Sequence, residues 1–288
     1  MPKISLITAT VDRTSELERF LSKLEYQDYM DFELIVVDQN PDERLIPMLN
    51  SFSDRFEIKH IRTEKRGVSR ARNLGIQQAQ GEIITFPDDD CWYPPGLLQR
   101  VEQEFDRHPE FDGIIGLALD EAGRPSMKKF PRRRRGKPDK YSVWTMCNTS
   151  VLFFRRHLVE STGLFNESLG VGSGTPWGAA EDVEYPLRAM RKGFCLYYEP
   201  AIIVGHPQPV KKVDERALRR AYSYGAGLGK VVRDFNYPLW FILYQFLRPA
   251  GASFFWLLMG KKPRAYMHFL TLKGRIYGWS HQERDNEL

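Results

Sequence analysis

The stretch Gly81–Pro95, GEIITFPDDDCWYPP, limits what this chain can fold into more than any other. A short β-branched run, Ile83 to Phe86, is bounded by Gly81 and Pro87 and reads as a buried strand. It ends in three consecutive carboxylates, Asp88, Asp89 and Asp90, followed by an aromatic pair and two prolines. Three adjacent acids repel one another unless positive charge sits among them. In a metal site that charge is a hard cation such as Mg²⁺ or Mn²⁺, which takes oxygen ligands and keeps positions open for phosphate oxygens. The alternative is a solvated acidic turn.

The residues before this stretch alternate strand and helix. Strands are expected at Ile4–Ala9, Phe32–Val37 and Glu57–Ile61, and helices from Ser15, from Glu43 to Phe52, and from Gly67 through Ala79. Ser15 and Glu18 have capping-box spacing, with Leu17, Phe20, Leu21 and Leu24 behind them at helical intervals. Alternation of this kind implies a parallel sheet, with ligands beyond the carboxyl ends of its strands. Those ends carry Thr8, Thr10 and Asp12, then Asp38, then Asp88–Asp90, so polar groups collect where a nucleotide would sit. The turn Thr8–Arg13 contains no glycine, which excludes a dinucleotide cradle and a P-loop. The same lack argues against a sugar-nucleotide pyrophosphorylase.

Further on, a helix at Pro95–Arg107, a strand at Gly113–Leu119 and a strand at Asn148–Arg155 are expected. Lys128–Lys140 is a basic loop, either solvated or in contact with phosphates or a membrane surface. The Gly-rich GVGSGTPWGAA has the character of a substrate loop. Glu181-Asp182 then opens a helix that closes at Gly193; acids there are favourable as simple caps.

The 288 residues carry a net charge of +5, unevenly placed: from Lys211 onward 14 Lys/Arg face 6 Asp/Glu. A helix is expected from Asp214 to Val232. Tyr237–Gly260 is mostly apolar but split by Arg248-Pro249 into two short pieces, each below the ~20 residues of a spanning helix. Two interfacial helices, or helices packed on the body, are the readings that remain. Three scattered cysteines suit a reducing compartment, and no secretory signal is seen.

Taken together, ISLITATVDR, FELIVVDQN, GVSRARNLGIQQAQGEIITFPDDDCWYPPGLL, GLFNESLG and AAEDVEYPLRAMRKG resemble, in order and spacing, the inverting family 2 glycosyltransferases of the GT-A fold. The resemblance covers residues 3–206. It implies an α/β fold, a mainly parallel Rossmann-type sheet flanked by helices, as a domain over 1–210 with a basic helical extension over 211–288. It implies Asp38 on the nucleobase, Arg72 and Asn73 lining the donor site, Asp88 facing the ribose or sugar, Asp89 and Asp90 holding Mg²⁺ or Mn²⁺, and Asp182 as catalytic base; Thr8 and Thr10 join the donor site from their place at the strand ends. Asp38-Gln39 stands where the family has two acids, and Ala9 where it commonly has Pro. Gln245-Phe-Leu-Arg248 runs into Pro249 and does not complete the QxxRW signature of processive synthases, so single-sugar transfer is expected. The implied partners are a nucleotide-diphosphate sugar, a glycan or lipid-linked acceptor in surface-polysaccharide assembly, and the inner, cytoplasmic face of the membrane; nucleic acid is not among them. The rivals are a nucleotidyltransferase and an inactive nucleotide-sugar-binding scaffold.

Overall fold

The structure, a computed structural model, describes residues 2–126, 131–208 and 212–281. Residues 128–130 of the basic loop, 209–211 at the expected boundary and the final 282–288 lie outside the described residues. The chain forms two compact units. The first comprises Met1–Arg66, Arg70–Phe165 and Tyr185–Pro209; the second comprises Gly67–Ser69, Asn166–Glu184 and Val210–Leu288.

The first unit follows the alternation legible in the sequence: β1 (Ile4–Thr10), α1 (Thr14–Leu24), β2 (Phe32–Asp38), α2 (Ile46–Phe52), β3 (Glu57–Arg62), α3 (Val68–Gln78), β4 (Ile83–Thr85), α4 (Leu97–Arg107) and β5 (Gly113–Leu119). β1, β2 and β3 pair in parallel, as do β1 and β4, and β2 is buried along its whole length. Leu17, Phe20, Leu21 and Leu24 form the buried stripe of α1, and Leu97, Leu98, Val101 and Phe105 that of α4. The sheet closes with β6 (Leu152–Arg155), α5 (Arg156–Thr162), α6 (Glu181–Arg191) and β7 (Leu196–Gly205), in the order β3-β2-β1-β4-β6-β5-β7. β6 runs antiparallel to β4 and β5, whereas β5 and β7 are parallel. The sheet is therefore mixed, and mostly parallel.

Local chemistry explains where elements depart from expectation. The capping box does not form: Arg13 is the cap of α1 without a side-chain bond, and Ser15 Oγ donates to Glu16 instead. α2 starts at Ile46 rather than Glu43, placing Pro47 in the first turn, where a missing N–H costs nothing. The strand expected from Asn148 begins at Leu152, because the Asn148 side chain accepts from Ser150 N at 2.9 Å and winds the chain into a short 3₁₀ turn.

The second unit carries the helices α7 (Glu215–Asp234), α8 (Leu239–Leu258) and α9 (Lys262–Ser280). Asp214 caps α7, accepting from Ala217 N at 2.8 Å. α7 and α9 approach backbone to backbone through glycines spaced four apart on each. A Cβ on Gly229 would lie 2.1 Å from the Arg275 carbonyl oxygen, and one on Gly278 1.9 Å from that of Ala226. Glycines fill the α7–α9 contact, while many large apolar residues are exposed: Leu239, Trp240, Leu247, Phe254 and Leu258 of α8, and Tyr266 and Phe269 of α9.

α8 corrects the expectation of two short pieces. It is one helix of 20 residues with Pro249 inside. Proline removes the N–H that would bond the Gln245 carbonyl. The Arg275 guanidinium, reaching from α9, donates to that carbonyl and, at 3.1 Å, to Gln245 Oε1. The carbonyl is satisfied from outside and the helix continues. Among the described residues no helix is long and apolar enough to cross a membrane.

Candidate active site

The carboxyl ends of β1, β2 and β4 deliver the polar residues that the sequence places there. Asp38, at the end of β2, is fully buried. Its Oδ1 accepts from Asn40 N at 2.8 Å and Asn40 Nδ2 at 2.7 Å, and its Oδ2 lies 3.0 Å from His60 Nε2. Asn40 Oδ1 accepts in turn from Asp12 N at 2.8 Å and fixes a left-handed backbone there, φ 57°. Thr10 Oγ1 donates to Asp89 Oδ2 at 2.9 Å. Thr8 is buried, with no hydrogen-bond partner for its hydroxyl.

The three acids after β4 are held in three ways. Asp88 Oδ1 accepts from Arg72 Nη2 at 3.0 Å, and that guanidinium, 3% exposed, also donates to Thr149 Oγ1 at 2.7 Å. Asp89 Oδ1 accepts from Arg13 Nη1 at 2.7 Å, and Asp90 Oδ2 accepts from the same nitrogen at 2.9 Å. Asn73 spends its amide on Phe165, donating to its carbonyl at 3.0 Å and accepting from its N–H at 2.8 Å.

A fourth group arrives from far along the chain. Trp92 N donates to Gly205 O at 2.9 Å and Gly205 N to Trp92 O at 2.8 Å, joining the segment after the acids to the end of β7. His206, the next residue, lies with Nε2 3.7 Å from both Asp88 Oδ2 and Asp90 Oδ1. One ligand atom each from Asp88, Asp90 and His206 lies within 4.8 Å of the others, a spacing that could hold a metal ion. Two carboxylate oxygens and an imidazole suit Mn²⁺, and carboxylates suit Mg²⁺. The Arg13 guanidinium resting on Asp89 and Asp90 is itself a cation seated on this turn, so the donor set fits. The cluster admits Asp88 and His206, and turns Asp89 toward Thr10 and Arg13.

The electrostatics follow the contacts. Burial pushes the Asp88 carboxyl up, but His206 and Arg72 outweigh it and hold it below the usual range. Burial raises Asp89 to about 6, against the pull of Arg13 and Thr10 and with Asp90 adding to the rise. Burial lowers His206, yet Asp88 and Asp90 raise it overall, so the imidazolium is favoured while it faces both carboxylates.

Asp182 belongs to the second unit, in the first turn of α6 with Glu181 and Glu184. Ala180 just before it is buried with φ 80°, a conformation rare outside glycine, which sets the angle at which the helix begins.

Sequence reasoning passed over Arg13, Asn40, His60 and His206. The signal for His206 was a lone histidine ending the apolar run AIIVG, and its partners lie more than a hundred residues away.

A model of the family described as "Glycosyl transferase family 2" matches residues 5–161. The GalNAc(5)-diNAcBac-PP-undecaprenol beta-1,3-glucosyltransferase of Campylobacter jejuni is 29% identical over 185 residues, covering 62% of this chain and 59% of that protein. Glycosyltransferase AglE of Haloferax volcanii is 25% identical over 282 residues, covering 94% of this chain and 84% of its own length. Among solved structures, mannosyltransferase PcManGT from Pyrobaculum calidifontis, in complex with GDP-Man and Mn²⁺, superposes with a TM-score of 0.65 at 17% identity, covering 96% of this chain and 87% of that one. Staphylococcus aureus TarS 1-349 with UDP-GlcNAc gives 0.60 at 14% identity, covering 97% and 93%. These two likenesses are in the fold.

Proposed function

This chain belongs to glycosyl transferase family 2, and from that premise we propose that it moves one sugar from a nucleotide-diphosphate donor to a glycan or lipid-linked acceptor, with inversion at the anomeric carbon. The observation that carries the reading is the convergence of Asp88, Asp90, His206 and Arg72 at the carboxyl end of the sheet. A diphosphate is the ligand such a cation-binding turn suits. Asp38, buried and anchored by Asn40 and His60, is the proposed nucleobase contact. Thr8 and Thr10 stand near the end of β1, and with Asn73, which is bonded to Phe165, they are the proposed lining of the donor site.

Asp88, Asp90 and His206 would hold the ion, with Mn²⁺ ahead of Mg²⁺ because a nitrogen is among the ligands. When bound, such an ion supplies positive charge to the leaving diphosphate. Asp89, paired with Arg13 and Thr10, fixes the turn. In the displacement, the acceptor hydroxyl oxygen forms the new bond to the anomeric carbon and passes its proton to the Asp182 carboxylate. The carbon–oxygen bond to the diphosphate breaks, and its electron pair leaves with the nucleoside diphosphate. A positioned carboxylate base contributes ~10²–10⁴-fold.

The exposed apolar face of α8 and α9 supports a membrane partner. Between Asp234 and Glu283 the sequence holds six Lys/Arg and no Asp or Glu, and with Arg275 buried the other five leave the charge of this segment's surface positive. An anionic bilayer surface, on its cytoplasmic side, complements both properties, and a lipid-linked acceptor would be met there.

The catalytic assignment is tested with Asp182→Asn and Glu181→Gln, measuring melting temperature, donor affinity and transfer of radiolabelled sugar from UDP-, GDP- and dTDP-sugars. Asp182→Asn should keep its fold and donor affinity and lose about 10²-fold or more in turnover, and Glu181→Gln should lose less. Near wild-type turnover in Asp182→Asn, with a lowered melting temperature, would reduce the residue to a helix cap.

A further inference from the structure

Asp90 has a neighbour on each oxygen. Oδ1 faces His206 Nε2 at 3.7 Å, on the side of the candidate metal ligands. Oδ2 accepts from Arg13 Nη1 at 2.9 Å, and the same nitrogen reaches Asp89 Oδ1 at 2.7 Å. The guanidinium is thus the charge that reconciles the crowded carboxylates. Its backbone is fixed: Asp12, the residue before it, is held in the left-handed region by Asn40, and Asn40 is held by Asp38. Its side chain is not fully enclosed, at 34% exposure, so the guanidinium can leave without unpacking the core.

We propose that Arg13 couples entry of the divalent ion to entry of the nucleotide sugar, holding the ion off until a diphosphate arrives to share the positive charge. The proposal rests on the reading of the site given above and adds its regulation. An ion on Asp90 Oδ1 and a guanidinium on Asp90 Oδ2 draw on one negative charge and repel each other across a carboxylate's width. A diphosphate brings anionic oxygens that bind both cations, and the repulsion becomes a shared attraction. Linkage then requires that nucleotide raise ion affinity and ion raise nucleotide affinity by the same factor. The arginine offsets the repulsion between Asp89 and Asp90 in the interval, and the ion is recruited with its substrate.

The test uses the full chain as wild type, Arg13→Gln and Arg13→Lys, with Mn²⁺ titrated alone and with saturating UDP or GDP. Binding is followed by the loss of the free-ion paramagnetic resonance signal. Mn²⁺ alone should bind Arg13→Gln about tenfold or more tightly than wild type, and the enhancement by nucleotide should shrink by a similar factor, because the competing charge is gone. Arg13→Lys, with a charge that reaches one carboxylate but not two, should fall between them. It carries the test alone if Arg13→Gln melts before it can be titrated. Unchanged or weaker Mn²⁺ binding in the variants, or an undiminished nucleotide enhancement, would overturn the coupling and leave the metal site standing. Failure of wild type to bind Mn²⁺ even with saturating nucleotide would instead remove the metal site, and this proposal with it.

Discussion

Gly205→Ala is the sharpest probe of how the fold builds the site, because one methyl group separates the end of β7 from Trp92. A Cβ on Gly205 would lie 1.9 Å from Trp92 Cε2 and 2.1 Å from its Nε1. Ordinary carbon contact is ~3.5 Å, so the indole must retreat by roughly 1.5 Å. It has little freedom to do so. Trp92 is tied to Gly205 by backbone bonds of 2.9 and 2.8 Å, and its outer face carries the Arg19 guanidinium, 4.6 Å from the ring centre. Overpacking of this kind costs about 1–3 kcal/mol, and losing the cation–π contact adds ~0.5–1 kcal/mol. At ~2 °C per kcal/mol, the melting temperature should fall by about 3–8 °C. The second effect is specific to the site: His206 is the next residue, so Mn²⁺ affinity measured with UDP or GDP should drop about tenfold as the imidazole moves off the carboxylates. Trp92→Leu makes room for the methyl, so the double variant should be more stable than the sum of the single losses predicts, by about 1 kcal/mol or more. A Gly205→Ala protein that melts and binds Mn²⁺ like wild type would refute the argument that this contact seats His206.

Two further outcomes are expected. Wild-type protein should co-sediment with phosphatidylglycerol vesicles and release partly at high salt, because basic residues at such a surface contribute ~1 kcal/mol each, while Trp240→Ala/Phe254→Ala should bind less; salt-insensitive binding equal in both would refute the exposed face as the contact. Glu33 is pushed up by burial but pulled lower overall by Lys59, whose Nζ lies 2.5 Å from its Oε2, and by hydrogen bonds from Ser5 and the Gln80 N–H, both at 2.6 Å. Its depressed folded pKa means its contribution is complete above pH ~4.5 and is lost as pH falls through the folded value, so urea denaturation should show Glu33→Gln destabilised at pH 7 with a shallower acid decline, and equal acid slopes would contradict this.

The sequence was most readable where the signals are local. The apolar runs of β1, β2 and β5 and the stripes of α1 and α4 are patterns within a few residues, and the carboxylates at the ends of β2 and β4 follow directly from strand direction. Asp88–Asp90 announced a cation-holding turn, but not that a cation from the chain itself, Arg13, rests on it. That contact joins residues more than seventy apart, as the His206 contacts join residues more than a hundred apart, and no periodicity encodes either. β6 was legible as a strand but not as an antiparallel insertion between β4 and β5, since neighbour and direction are tertiary choices. α8 failed for the opposite reason: the local rule about proline was applied correctly, and a side chain from another helix answered the cost.

That answer has a consequence for how the tail is made. The Gln245 carbonyl is buried, and Arg275, whose guanidinium meets it, lies thirty residues later on α9. During synthesis α8 is complete before its proline site can be closed, so the helix has to wait for Arg275 on α9. α8 and α9 then mature as one cooperative step. Premature termination near Gly260 would leave a weakened helix with its Gln245 carbonyl unanswered, a chain suited to degradation rather than partial function. The same pairing restrains sequence change: Arg275 cannot be exchanged for an apolar residue while Pro249 remains, but becomes replaceable once Pro249 is an alanine. Lineages that lose Arg275 should have lost Pro249 as well, whereas the reverse is not required.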